Sequence, residues 1–204
     1  MKTPDNLIKT GLAATLIVIL LSCGNRYPKV IISTDLGDIT VELFPDKAPL
    51  TVANFIRYIK EDRFKGATFY RVVTPDNQPD NDVKIEVIQG GLFEDDNPQA
   101  LQPISHETTK QTGILHKNGT ISMARYGPGT ATSEFFICID DQPSLDYGGK
   151  RNSDGQGFAA FGRVIKGMDI VRKIQQQPAK DQYLMPRIKI KDMKIIAGSF
   201  KSKS

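Results

Sequence analysis

The sequence is poor in the residues that build metal centres and disulfide frameworks. Its 204 residues include no tryptophan, two cysteines and two histidines. Two cysteines are too few for the disulfide framework of a small secreted scaffold. His106 and His116 stand ten positions apart, without a third ligand at metal-binding spacing. We therefore expect no metal site.

A strong charge of either sign is also lacking. The formal net charge is +4 at pH 7 and no basic stretch is interleaved with aromatic residues, so nucleic-acid binding is not expected. The basic segment from Lys189 to Lys203 is interpreted as the solvent face of a last strand, followed by a basic tail over residues 199–204. The acidic segment from Asp76 to Asp82 does not match an EF-hand loop and is predicted to be a solvated loop.

The N-terminal segment has the layout of a secretory signal. An uncharged run from Gly11 to Leu21 follows two lysines, Lys2 and Lys9. Crossing a bilayer takes about 20 residues, so this run of apolar and small residues is too short to span one. It predicts the h-region of a signal peptide.

The next residues, Leu20-Leu21-Ser22-Cys23, resemble a bacterial lipobox. The resemblance implies a lipoprotein signal peptide over residues 1–22, a lipidated Cys23, and a lipid-anchored tether over residues 23–28. The alternatives are a plain signal peptide, with Cys23 lost or free, and an uncleaved anchor. An acylated Cys23 would leave Cys138 without a disulfide partner, and Cys138 is predicted to be a small buried hydrophobe.

The rest of the chain is organised around residues 119–139. Two apolar runs, Ile121 to Ala124 and Phe135 to Ile139, flank a linker of small residues and predict strand, loop and strand. Phe135 and Phe136 should lie on opposite faces of the second strand, one in the core and one lining a groove. A peptide backbone could lie close to the linker, because Gly127, Gly129 and Ala131 have almost no side chain.

Other patterns predict short strands and two helices. A hairpin is expected from Lys29 to Phe44. Helices are expected from Pro49, with apolar residues at helical spacing, and from Met168 to Gln177. Further strands are expected at Phe69 to Val73, at Val83 to Ile88, and from Ile188 to Ile196. Many short strands with two helices indicate an all-β barrel with helical caps in one domain.

Several motifs together resemble the cyclophilin family of peptidyl-prolyl cis-trans isomerases, particularly its bacterial envelope branch. The central one is G-T-I-S-M-A-R followed by T-S-E-F-F-I. The others occur in the family's order over roughly Lys29 to Ile196: Gly37 to Phe44, Pro49 to Phe55, Phe69-Tyr70-Arg71, Gln89-Gly90-Gly91, and Phe161 to Val164 with Lys166 to Met168. Each motif is weak alone, and the ordered set is specific.

The resemblance implies a cyclophilin-like closed eight-stranded antiparallel β-barrel capped by two α-helices, over residues 29–198. It implies rotation about X-Pro bonds of extended or unfolded polypeptides, without a cofactor or metal, by a monomer. With the lipobox, it implies action on folding proteins in the cell envelope, from a bacterial membrane. The alternatives are a catalytically weakened proline-peptide binding or chaperone module and a purely structural envelope lipoprotein.

The family's functional residues match positions of this chain. Arg71 matches the arginine that donates a hydrogen bond to the nitrogen of the X-Pro amide when that amide is twisted out of plane. Gln89 matches the glutamine that holds the substrate backbone. The implied substrate-binding residues are Phe136 at the floor of the proline pocket, Leu145 at its wall, Ala124 against the peptide backbone, Phe158, and the adjoining Tyr70 and Met123.

Some positions depart from the family's pattern. Glu86 stands where members usually carry an aromatic residue, after the insertion Asp76 to Asp82. Either Glu86 faces the pocket and pairs with Arg71, or the insertion shifts the strand so that Val87 or Ile85 lines the pocket. Ser144 removes a ring from the rim, and Glu134 replaces a glutamine beside the groove. These departures bear on the level of activity more than on the fold.

Overall fold

The computed structural model describes residues 27–94 and 96–198. Within them the chain forms nine strands. They are β1 (Lys29–Thr34), β2 (Gly37–Leu43), β3 (Thr68–Val73), β4 (Val87–Gly91), β5 (Thr120–Met123), β6 (Phe135–Cys138), β7 (Ala159–Lys166), β8 (Ala179–Lys180) and β9 (Tyr183–Ala197).

Eight of these strands close into an antiparallel barrel. The order around the sheet is β1-β2-β7-β5-β6-β4-β3-β9, and β9 pairs back with β1. The two-residue β8 pairs only with β9, as a short hairpin at the barrel's edge. The sequence-based prediction of a closed eight-stranded barrel is confirmed. Closure leaves almost no free strand edge.

Three helices accompany the barrel: α1 (Pro49–Lys60), α2 (Thr109–Thr112) and α3 (Met168–Gln175). α1 begins at a proline, whose missing N–H is not needed in a first turn, and buries Val52, Phe55 and Ile56. α3 buries Val171 and Ile174 in the same core. The two longer helices match the predicted caps. The single-turn α2 was not predicted, because four residues are too few to show helical periodicity.

Aromatic rings fill much of the barrel interior. Phe55 of α1 lies 5.5 Å from Phe135 and 5.2 Å from Phe161, measured between ring centroids. Phe69 and Phe64 contact Phe135 from other sides. Tilted and edge-on pairs of this kind stabilise a core beyond the area that they bury. Phe135 therefore stands at the centre of the helix–barrel contact.

Three predicted elements have boundaries that differ from the structure by two residues or more. β9 begins at Tyr183, five residues before the expected Ile188. The strand expected at Val83 to Ile88 begins only at Val87. The carbonyls of Val83 and Ile85 accept from side chains, those of Arg151 and Gln78, instead of from a neighbouring strand. α3 ends at Gln175, two residues before the predicted Gln177. Cys138 is fully buried, as predicted, and burial raises the pKa of its thiol.

The N-terminal predictions fall outside the described residues. The signal peptide, Cys23 and most of the tether precede residue 27, and the basic tail at 199–204 follows the last described residue. Between residues 27 and 198, no helix has the length and apolar character that a membrane span requires.

Candidate active site

A cavity of about 390 Å³ opens on the outside of the barrel between β3, β4 and the loops after β5 and β6. It has a polar wall and an apolar floor, both described below. A larger groove of about 740 Å³ lies along the outer face of α1. We assign the site to the smaller cavity because the predicted site residues converge there.

Strand register brings the two predicted catalytic residues together. Arg71 on β3 lies directly opposite Gln89 on β4. The Nη1 of Arg71 donates to the Oε1 of Gln89 at 2.9 Å. Both side chains line the cavity, as expected for neighbours on one face of a sheet.

Gln182, in the turn between β8 and β9, holds the guanidinium from the other side. Its Oε1 accepts from the Nε of Arg71 at 2.9 Å and from Nη2 at 2.6 Å. A guanidinium has five N–H donors, and three are used in this way. One N–H on Nη1 and one on Nη2 have no acceptor among the described residues. Burial lowers the pKa of Arg71, yet an arginine stays charged at physiological pH.

A chain of hydrogen bonds fixes Gln89 in turn. Its Nε2 donates to the Tyr70 hydroxyl at 2.6 Å, and that hydroxyl donates to Oε2 of Glu134 at 2.5 Å. Burial and the negative charge of Glu134 both raise the pKa of Tyr70. Glu134 also accepts from the Ser133 hydroxyl and from the backbone N–H of Phe93. The amide of Gln89 therefore has one orientation, with its oxygen towards Arg71.

The floor of the cavity is apolar. Phe136, Leu145, Ile85 and Val87 form one buried cluster with Val73 and Cys138, and Ala124 and Phe158 pack against it. The Phe158 ring stands edge-on to Phe136, with 5.3 Å between centroids. Phe135 belongs to the barrel core instead, so the predicted division between Phe135 and Phe136 is confirmed. Such a surface suits a proline ring.

Glu86 does not face Arg71. Its carboxylate accepts from Nε2 of Gln175 on α3 at 3.2 Å, and it does not line the cavity. Ile85 and Val87, on either side of it in the chain, line the cavity instead. The second of the two alternatives left open by the sequence is therefore correct.

The insertion is solvent-accessible along most of its length, as predicted, but one of its side chains is buried. Gln78 is buried at its centre: its Nε2 donates to the carbonyls of Thr74 and Ile85, at 2.7 and 2.8 Å, and its Oε1 accepts from the Ile85 N–H at 3.3 Å. The three aspartates of the insertion remain exposed. Gln78 thus holds Ile85 at the cavity.

The loop that precedes β7, residues 154–157, supports Phe158. Arg125 donates through Nη1 and Nη2 to both carboxylate oxygens of Asp154, at 2.7 and 2.9 Å, and through Nε to the carbonyl of Gly157 at 2.9 Å. The guanidinium lies 5.1 Å from the centroid of Phe158. This bidentate pair ties the loop to the end of β5.

Beneath the floor lies a buried Ser-His-Asp arrangement. His116 Nδ1 contacts Asp146 Oδ1 at 2.7 Å, and its Nε2 lies 3.0 Å from Ser122 Oγ. The imidazole stacks on Phe136 with 5.9 Å between centroids. Ser122 and His116 are 0% and 1% exposed, so no substrate can reach the hydroxyl. The arrangement supports Phe136 from below.

Two predicted site residues lie elsewhere. Met123 is 1% exposed and belongs to the barrel core, because its side chain points inward beside Phe135, its partner across the β5–β6 ladder. Ala131 also packs into that core and does not line the cavity. The remaining predicted residues, Arg71, Gln89, Phe136, Leu145, Ala124, Tyr70 and Phe158, all line it.

The sequence alone gives no role at the site to Gln182, Arg151 or His116. Gln182, which holds Arg71, and Arg151, which lines the cavity, come from loops with no recognisable pattern. The spacing of His116 from His106 bears only on metal binding. The only local feature at Gln182 is the polar pair Asp181-Gln182 before an apolar segment. Such a pair predicts an ordinary turn and nothing more.

Comparison with known proteins identifies the family of the chain. Residues 29–195 match the family model described as cyclophilin type peptidyl-prolyl cis-trans isomerase/CLD. A peptidyl-prolyl cis-trans isomerase of Acinetobacter baylyi is 35% identical over 172 residues, covering 83% of this chain and 83% of the relative. Peptidyl-prolyl cis-trans isomerase B of Escherichia coli is 37% identical over 145 residues, covering 70% of this chain and 80% of the relative.

Solved structures share the fold. The crystal structure of a cyclophilin type peptidyl-prolyl cis-trans isomerase from Cryptosporidium parvum, determined in the presence of the dipeptide Ala-Pro, has a TM-score of 0.66 at 23% identity. The match covers 83% of this chain and 99% of the other.

Proposed function

The chain belongs to the cyclophilin-type peptidyl-prolyl cis-trans isomerases, a family of isomerases, and from this premise we propose that it accelerates X-Pro rotation in extracytoplasmic proteins that are still folding. Arg71 donates to the twisted amide while the proline ring rests on Phe136 and Leu145. No nucleophile or proton transfer is needed, because the reaction breaks no σ bond.

The reduction of the rotation barrier comes partly from the arginine and partly from the pocket. The barrier to X-Pro rotation is about 20 kcal/mol. An acceleration of four decades requires a reduction of about 5.5 kcal/mol. One charge-assisted hydrogen bond contributes about 1.5 to 3 kcal/mol. Arg71 therefore supplies part of the effect, and the apolar floor and Gln89 supply the rest by fixing the proline and its flanking backbone.

Rotation removes amide resonance, so the proline nitrogen regains a lone pair and becomes a hydrogen-bond acceptor. The observation that carries the proposal is that the guanidinium of Arg71 is held in place and still has N–H donors without an acceptor among the described residues. Its Nη1 and Nη2 each keep one N–H for a substrate, while Gln89 and Gln182 hold the group in place. Donors fixed before the substrate binds need no reorganisation in the transition state.

The test is a proline-isomerisation assay on soluble protein from Gly24 onward. Arg71→Ala should lower kcat/KM by about two decades. Arg71→Lys should lose most of the same activity, because an ammonium lacks the planar, paired N–H donors of a guanidinium. Arg163→Ala is the matched control, because Arg163 is exposed on β7 and pairs with Glu42. Equal rates for wild type and Arg71→Ala would refute the mechanism. Peptide binding without acceleration would instead favour a binding or chaperone module.

We also propose that the protein is anchored to a membrane outside the cytoplasm by a lipid on Cys23. The support is the Leu20-Leu21-Ser22-Cys23 sequence after a short apolar run. Labelling cells with a radioactive fatty acid should mark the wild-type protein and not Cys23→Ala. Equal labelling of both, or none of either, would contradict the anchor.

A further inference from the structure

A second arginine stands at the rim of the cavity. Arg151 donates from Nη1 to the Oε1 of Gln78 at 2.8 Å and to the carbonyl of Val83 at 2.6 Å. These acceptors occupy both N–H groups of Nη1. The Nε and Nη2 donors have no acceptor among the described residues, although the side chain is only partly exposed and lines the cavity.

Arg71 and Arg151 also lack an acidic partner. Between residues 27 and 198, leaving out residue 95, neither takes part in an ion pair within 4.0 Å. Both line the same cavity, and burial followed by the charge of Arg71 lowers the pKa of Arg151. Two like charges held in one cavity repel each other, and an anion between or beside them would relieve the repulsion.

The other charges of the cavity are already accommodated. Arg125 is neutralised by Asp154 through two hydrogen bonds. Glu134 receives three donors of its own, from Tyr70, Ser133 and the backbone of Phe93. Glu134 keeps its charge in the cavity wall, but its hydrogen-bonding capacity is taken up by neutral donors, and Arg71 and Arg151 are the two cations that present N–H donors to a substrate without an ion-pair partner among the described residues. Guanidinium groups with open N–H forks are suited to bidentate binding of carboxylates.

We infer that the cavity selects X-Pro segments with a carboxylate side chain, Asp or Glu, next to the proline, and that Arg151 is the residue that determines this preference. The inference rests on the proposed function, because it assumes that the proline occupies the floor beside Arg71. The carboxylate then receives the free Nε and Nη2 donors of Arg151, and the Nη1 bonds to the insertion keep that group in place.

The test uses three matched peptides, with Glu, Gln or Lys beside the proline, placed in one series before it and in another after it. The wild type should favour Glu over Lys by about tenfold in kcat/KM in one of the two series, as expected for one partly desolvated charge pair. Arg151→Gln should bring the ratio close to one, and Arg151→Lys should retain most of it. Lys150→Gln removes the same charge at an exposed neighbour and should leave the ratio unchanged.

Salt provides a second readout. Raising the ionic strength should reduce the Glu-to-Lys ratio of the wild type and leave that of Arg151→Gln unaffected. A merely structural role for Arg151, as a support for the insertion, would instead lower the rates on all three peptides together. An unchanged ratio in Arg151→Gln, or no preference in the wild type, would overturn the inference.

Dissociation constants of the same peptides, measured by NMR titration, separate the two proposals. If no peptide is isomerised faster than in buffer, the proposed catalysis fails, and the ratio of dissociation constants still decides the charge preference. If peptides are isomerised without regard to charge, the catalysis stands and the role of Arg151 is refuted. Failure of every peptide to bind would refute both.

Discussion

The side-chain oxygen of Gln182 accepts two hydrogen bonds from Arg71, at 2.9 and 2.6 Å, although the two residues are 111 positions apart in the chain. Gln182 has a positive φ of 75°, and its Nε2 donates to the carbonyl of Asn77 at 2.7 Å. The turn between β8 and β9 is thus tied at once to the candidate catalytic arginine and to the insertion.

Removing this acceptor should misplace the guanidinium. Gln182→Leu keeps the volume but leaves Nε and Nη2 without a partner, so we expect kcat/KM to fall about tenfold, equivalent to about 1.4 kcal/mol of transition-state stabilisation. The loss should fall on kcat more than on KM, because the apolar floor that binds the proline is unchanged. Exchange NMR on a proline peptide measures both constants.

Two further variants distinguish positioning from a general structural effect. Gln182→Glu retains an acceptor and should lose less activity than Gln182→Leu. Gln176→Ala, at an exposed residue after α3, should behave as wild type. Loss of activity in Gln182→Leu that is accompanied by an equal loss in Gln182→Glu would show that Arg71 does not depend on this hydrogen-bonding partner.

The pattern of apolar residues was sufficient to predict most of the barrel. Alternation in the β1–β2 hairpin and the Pro49 helix start are local signals, and the division between Phe135 and Phe136 follows from strand geometry alone. The start of β4 could not be predicted, because Val83 to Glu86 alternate as a strand would. Instead, the backbone carbonyls of Ile85 and Val83 accept hydrogen bonds from the side chains of Gln78 and Arg151.

The site was predictable where it lies on strands and unpredictable where loops complete it. Arg71 and Gln89 occupy paired positions that ordered motifs mark. Gln182 reaches Arg71, and Arg151 reaches the cavity, only because the β8–β9 turn and the segment after β6 fold back to this side of the barrel. Nothing local in the sequence encodes such contacts, since they depend on the closed topology.

The same substitution at Phe135 and at Phe136 compares a residue of the barrel core with a residue of the cavity floor. Phe135→Leu should lower the free energy of unfolding by roughly 1 to 3 kcal/mol, because the ring contacts three others inside the barrel. Its effect on kcat/KM should be small. Phe136→Leu should weaken proline-peptide binding several-fold, because it removes the aromatic ring from the floor of the cavity. Urea unfolding and peptide titration measure the two effects.

The same pair of variants can contradict this assignment. If Phe135→Leu, still folded, lost as much peptide affinity as Phe136→Leu, the separation of the two faces would not hold. Both proteins should first show native circular dichroism at the assay temperature, so that affinity is compared between folded proteins.

The buried Ser122, His116 and Asp146 should stabilise the protein without acting as a catalytic triad. Asp146 as a carboxylate only accepts, so Nδ1 of His116 donates to it, and in the neutral imidazole Nε2 accepts from Ser122. Ser122→Ala would leave that nitrogen buried without a partner and should cost about 1 to 3 kcal/mol of unfolding free energy. Ser153→Ala, at an exposed position, should cost almost nothing.

A fluorophosphonate probe checks the second half of this statement. It should not label the native protein, because Ser122 is fully buried and an activated serine must be reachable. Labelling that disappears in Ser122→Ala would contradict a purely structural role. An unchanged unfolding free energy in Ser122→Ala would contradict the hydrogen bond itself.

The ion pair between Arg125 and Asp154 should make stability depend on pH in acid. Hydrogen bonds from Arg125 and from the backbone of Gln156 lower the pKa of Asp154 from 3.8 to about 2. A carboxyl whose folded pKa is depressed contributes stability that is complete above its unfolded pKa and is lost as the pH falls towards its folded pKa. The difference in unfolding free energy between wild type and Asp154→Asn should therefore be constant above about pH 5 and shrink between about pH 4 and pH 2. Urea unfolding of both proteins across this range gives the difference, in which other titrating groups cancel. A difference that persists undiminished at pH 2, or is absent at pH 7, would show that the pair does not hold the Phe158 loop in place.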